Sequence, residues 1–186
     1  APVYGQAEIA FRRFKKQAPK GFFKANEAKL RLTLPTGAMI EFKSAEKPDN
    51  LYGDDVYAAV FDEFTRARPE AWHALRSTLT STRGKCKLIG NVKGKKNWGY
   101  RLAQRARTGA DPVYQYFKIT AWDAVDAGIL EREEVEQAQK DLPEHVFREL
   151  YLAEAVDDGS NPFGLEFIEM CTRPMSVSPA TCYGVD

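Results

Sequence analysis

Apolar positions recur along this chain with two different periods, and each change of period marks an element. Ile9, Phe11 and Phe14 predict an amphipathic helix that leads off from a strand end and turn at residues 1–7. It should stop near Pro19-Lys20-Gly21, where proline and glycine break the pattern. Leu30, Leu32 and Leu34 then alternate with Arg31 and Thr33, and Met39-Ile40-Glu41-Phe42 follows the turn Pro35-Thr36-Gly37, which predicts a hairpin-like pair. Tyr57-Ala58-Ala59-Val60-Phe61 is a short unbroken apolar run of the kind that makes a buried strand, and it ends abruptly at Asp62-Glu63. Pro69 stands at a first helical position, and Ala71, Trp72, Leu75 and Leu79 give one face to a helix reaching about Thr80. Cys86-Lys87-Leu88-Ile89 predicts the next strand, ending at Gly90-Asn91, and a helix through Tyr100, Leu102 and Ala106 comes after it. Residues 113–119 alternate as a further strand, and helices over 131–141 and 143–153 complete the pattern.

Strand and helix therefore alternate with short connections. That order predicts an α/β fold with a mostly parallel sheet flanked by helices. Ligands of such sheets gather at the carboxyl ends of the strands, where Asp62, Glu63 and Asn91 all fall. From Asp157 onward glycine and proline are frequent and periodicity is weak, so residues 1–157 are expected to form one domain and 158–186 a linker with the margin of another.

Composition narrows the class. A chain of 186 residues, 44% hydrophobic, can bury one sizeable core. No run of about 18 apolar residues and no signal peptide is present, so a soluble intracellular protein without membrane contact is expected. Cys86, Cys171 and Cys182 lie far apart without C-x-x-C spacing, which points to ordinary thiols instead of a zinc site or a disulfide framework. Net charge is only +1, yet residues 83–107 carry Lys and Arg with no acid, while residues 123–158 are dominated by Asp and Glu. Such segregation fits a basic surface for phosphates and an acidic one for a protein partner, and it also fits solvated helix faces.

The strand-end carboxylates carry the most specific chemistry. Asp62 is placed to hold Mg²⁺, a hard ion that takes oxygen ligands and keeps several waters. Glu63 points to the other side of an ideal strand, but a bend at the terminus would bring it over a γ-phosphate, where it could activate water as a general base. Strands also end in acids that merely cap the next helix. Asn91 could hydrogen-bond the attacking water or a phosphate oxygen, or simply serve as a turn residue. Lys93, Lys95 and Lys96 around Gly94 could meet phosphates of DNA or nucleotide, and Trp98 could anchor that loop in the core. No G-x-x-x-x-G-K-[ST] loop occurs anywhere in the chain.

Taken in order, these motifs resemble the large subunit of tailed-phage terminases, the ATP-driven motors that package viral DNA. Residues 34–45 and Pro48-Asp49-Asn50-Leu51-Tyr52-Gly53 look like the stretch leading into the family's Walker B strand, and Asp62-Glu63 matches its acids. Residues 90–98 are similar to the coupling motif, residues 147–154 to the end of the ATPase part, and Cys182-Tyr183-Gly184-Val185-Asp186 to the opening strand of an RNase H-like nuclease domain. The resemblance implies an incomplete P-loop NTPase core whose Walker A lysine lies upstream of Ala1. It implies ATP and Mg²⁺ as ligands, Asp62 on the metal, Glu63 and Asn91 in catalysis, Lys93, Lys95 and Lys96 on DNA, and Asp186 as the first nuclease metal ligand. The implied partners are double-stranded DNA, the portal protein of the procapsid, the terminase small subunit and further copies in a ring, in the host cytoplasm and transiently on the portal. By itself the chain is expected to be inactive. A superfamily 2 helicase or translocase fragment, or a non-catalytic DNA-binding or portal-docking module, is the alternative.

Overall fold

Helix α1 (Tyr4–Gln17) ends where the sequence dictates: Ala18, the residue before Pro19, is extended at φ −73° and ψ 145°, because the proline ring disfavours helical backbone there. Lys15 and Lys16 lie in its last turn, where cations complement the helix dipole. Its buried seam differs from the expected one. Ala7 and Phe11, four residues apart and thus on one face, are buried, whereas Ile9 and Phe14 stay partly exposed. The computed structural model describes residues 1–156 except Lys20 and Ala110, so the segment 158–186, with Asp186, lies outside the described residues.

The α1 seam packs on an antiparallel sheet of β1 (Lys24–Asn26), β2 (Arg31–Thr33) and β3 (Met39–Glu41), in that order. The expected hairpin is β2 with β3, Leu32 standing opposite Ile40. Phe11, Leu30 and Leu32 form the centre of this first core, with Phe23, Ile40 and Phe42 around them. Strand β1 carries no signal in the sequence, because all three of its residues are exposed and only pairing with β2 defines it.

Strands β4 (Ala58–Asp62) and β5 (Lys85–Ile89) run parallel, with Asp62 opposite Ile89, joined through α2 (Pro69–Thr78). This is a β-α-β crossover. One face of the pair, with Phe61, Cys86 and Leu88, packs against Phe64, Ala71, Leu75 and Trp98 as the second core. The other face is open: Val60 is 63% and Ile89 51% exposed. The strand expected to be buried is therefore covered on one side among the described residues. The return into β5 needs glycine, since a Cβ on Gly84 would stand 2.5 Å from the Val56 carbonyl oxygen.

Helix α3 (Trp98–Arg107) follows β5 through the loop 90–97. The strand expected over 113–119 is not formed. Its backbone is irregular and Val113, Phe117 and Ile119 are exposed, because alternation supplies strand-forming side chains but no described strand pairs its N–H and C=O groups. Helix α4 (Ala121–Asp126) opens with a capping box between Thr120 and Asp123. Helices α5 (Arg132–Asp141) and α6 (Glu144–Tyr151) match the expected acidic pair and bury Val135 and Phe147. Among the described residues no helix is long and apolar enough to cross a membrane.

Candidate functional site

Parallel pairing at Asp62↔Ile89 puts the last residues of β4 beside the first residues after β5. Asp62 is exposed, and its Oδ1 accepts the Glu63 N–H at 3.1 Å. Glu63 then takes a left-handed conformation, φ 51° and ψ 36°. Strand alternation ends at that residue, where the backbone bends. Glu63 Oε2 lies 3.2 Å from Arg66 Nε, but the contact lacks hydrogen-bond alignment, and this oxygen is shielded from solvent with no hydrogen bond. The Arg66 guanidinium partners the charge of this carboxylate, whose side chain remains partly exposed.

The far side of the site is Gly90-Asn91. A Cβ on Gly90 would come 3.3 Å from Glu63 Cα and Phe64 N, so glycine lets the two strand ends close up. Asn91 is held by its backbone: Thr65 Oγ1 donates to its carbonyl at 2.7 Å. Asn97 caps α3 by accepting the Gly99 N–H at 2.8 Å, while its Nδ2 donates to the Thr65 carbonyl at 2.9 Å. Trp98 Nε1 donates to the Ala67 carbonyl at 2.8 Å, and its ring meets Phe64 edge-on at 5.4 Å. Both ends of the loop are thereby fastened to residues 64–67, directly after Glu63. Trp98 is the loop anchor foreseen in the sequence.

Lys93, Lys95 and Lys96 are exposed on this loop around Gly94, which is buried. The Gly94 N–H donates to Glu149 Oε1 of α6 at 2.9 Å. Between these parts lies a cleft of about 350 Å³ lined by Thr65, Arg66, Asn91, Lys93 and Glu149. Neither this cleft nor a larger recess of about 470 Å³ between α5 and α6 is lined by Asp62 or Glu63, so cavity volume does not locate the chemistry.

The structure thus brings together Asp62, Glu63 and Asn91, with the lysines on the adjoining loop, and Asp186 lies outside the described residues. Among the described residues no three metal-ligating side chains cluster. An exposed single carboxylate at a strand end suits Mg²⁺, which is commonly held by one or two carboxylates, substrate phosphates and water. Thr65, Arg66 and Glu149 were not picked out from the sequence. Their contacts join positions far apart in the chain, and only the Arg66–Glu63 spacing of three residues was visible beforehand.

No family model and no curated protein matches the chain. Solved structures do. The ATPase domain of the large terminase of Thermus phage P74-26 is 25% identical and superposes with a TM-score of 0.68, covering 83% of this chain and 74% of that one. An arginine-to-alanine mutant of the same domain gives 0.67 over the same shares. The large terminase of a second thermophilic phage, solved with ADP, is 17% identical with a TM-score of 0.61, covering 78% of this chain and 35% of that one. The likeness supports a terminase-like ATPase role for the chain described above.

Proposed function

On the premise that this chain is built as the ATPase domain of a phage large terminase is built, we propose that it hydrolyses ATP to drive viral double-stranded DNA into procapsids. The observation that carries the reading is the convergence of Asp62, Glu63 and Gly90-Asn91 at the carboxyl ends of two parallel strands in a chain of that fold.

Asp62 would hold a magnesium ion, and its exposure at the strand end supports this. The bound ion supplies neutralisation of charge on the β- and γ-phosphates of ATP. Glu63 is the general base. It takes a proton from the water whose oxygen attacks the γ-phosphorus, as the bond from that phosphorus to the ADP oxygen breaks. Its place at the bend that ends the strand, with a side chain still partly exposed, supports the assignment. The Asn91 side chain orients that water or contacts the γ-phosphate, its backbone being fixed by Thr65.

Lys93, Lys95 and Lys96 meet DNA phosphates, their exposure on one loop supporting an electrostatic grip. The wider proposal includes the portal protein, the terminase small subunit and a ring of copies as partners, an associated endonuclease whose metal site begins at Asp186, and action in the host cytoplasm and on the portal.

The test is Asp62→Asn in the full-length protein, with ATP turnover measured against Mg²⁺ concentration. Turnover should fall by about 10²-fold or more at every concentration. Turnover within twofold of wild type would remove Asp62, and with it this reading of the strand end.

A further inference from the structure

We infer that Glu149 is a positioning residue for the loop 91–97, and that α6 controls the loop through this one carboxylate; the inference rests on the reading of the strand-end site given above. Two of the loop's fastenings bear on this. Its ends are tied to residues 64–67 through the Thr65–Asn91, Asn97–Thr65 and Trp98–Ala67 bonds, so they follow the segment that begins at Glu63. Its middle is tied to α6, where Glu149 Oε1 accepts the Gly94 N–H at 2.9 Å across 55 residues of sequence.

Gly94 makes this second tie informative. It is buried, and its φ of +63° is a backbone region that glycine enters without strain. A buried N–H must be paired, and a carboxylate acceptor gives a shorter and stronger bond than a neutral one. The left-handed turn at Gly94 is thus the conformation in which the loop presents its N–H to α6. Glu149, half-buried, also lines the same cleft as Thr65, Asn91 and Lys93.

A small displacement of α6 would break a 2.9 Å bond outright, because hydrogen bonds weaken steeply with length and angle. The lysine-bearing loop would then lose its hydrogen bond to α6 at Gly94. Conversely, a change at Glu63 reaches α6 through residues 64–67, the loop and Glu149. The contact joins the site to the helical segment that follows it, and that places control of the loop in α6.

The experiment compares Glu149→Ala and Glu149→Gln in the full-length protein by two readouts. Amide hydrogen exchange of residues 91–97 needs no catalysis: protection should fall about tenfold or more in Glu149→Ala and be largely kept in Glu149→Gln, whose side-chain oxygen can still accept the Gly94 N–H. For ATP turnover in the presence of double-stranded DNA, Glu149→Ala should lower kcat about tenfold with KM for ATP within twofold, and Glu149→Gln should recover most of the loss. Unchanged exchange in Glu149→Ala overturns the tie whether or not the protein hydrolyses ATP. Lost protection with unchanged kcat overturns the positioning role, as does a Glu149→Gln variant as impaired as Glu149→Ala. A wild-type protein that hydrolyses no ATP sinks the ATPase reading separately, while the exchange result stands by itself.

Discussion

Glu63 holds its left-handed backbone without the glycine that such a conformation favours, which costs an ordinary residue about 1–2 kcal/mol. Strain of this kind persists where the surroundings fix it, and here the Gly90 backbone lies close against Glu63 Cα and the Phe64 N–H. Gly99 is the third close approach. A Cβ there would stand 2.8 Å from Phe64 Cε2 and 2.9 Å from Thr65 Cγ2, in a ring already packed against Trp98. Two effects oppose each other in Gly99→Ala: helix propensity gains up to about 1 kcal/mol, and forced overpacking costs about 1–3 kcal/mol. Position 99 lies in the first turn of α3, where the propensity gain is smallest, so the steric term wins. Urea unfolding should show a net loss of about 1–2 kcal/mol. A variant more stable than wild type would mean that Phe64 and Thr65 can move aside, and that the contact does not fix the segment after Glu63.

Strand β5 offers a test of how the parallel pair is covered. Burial pushes the Cys86 thiol up to about 11, with a backbone hydrogen bond at Phe61 acting the other way. The raised value means that the folded chain keeps the proton, so the associated stability is present below about pH 9 and is lost as pH rises through about 11. With Cys171 and Cys182 replaced by serine, alkylation of Cys86 at pH 8 should run about 100-fold slower in the folded than in the urea-unfolded protein, since the thiolate is the nucleophile. Equal rates would show that the β4–β5 face is not closed over the thiol. The same elements show what the sequence made legible. The apolar run 57–61, the pattern 86–89 and the proline at 69 identify β4, β5 and α2, because each pattern is local. The exposed β1 and the unpaired 113–119 segment could not be read correctly, because both turn on whether a partner strand lies alongside. At the site, Asp62, Glu63 and Asn91 were legible as strand-end residues. Thr65 and Glu149 were not, since their roles arise from hydrogen bonds across 26 and 55 residues.

At the scale of the whole molecule, two cores meet at the start of the chain. The α1 core is joined to the β4–β5 core by the Ala45 N–H donating to the Ala1 carbonyl at 2.8 Å and by the Tyr4 N–H donating to Glu46 at 3.0 Å. Glu149 joins α6 to the loop at the same end of the parallel pair as Asp62 and Glu63. Parallel strands normally have both faces covered, and here the Val60–Ile89 face stays open among the described residues. Architecture and comparison agree on a terminase-type ATPase fold, and the chemistry proposed for it turns on one carboxylate. The most direct measurement is steady-state ATP turnover of the full-length protein carrying Glu63→Gln, with nucleotide affinity measured alongside. Loss of the general base should lower kcat by about 10²–10⁴-fold while ATP still binds. Turnover near that of wild type would contradict the account, because no water-activating role would then remain for Glu63.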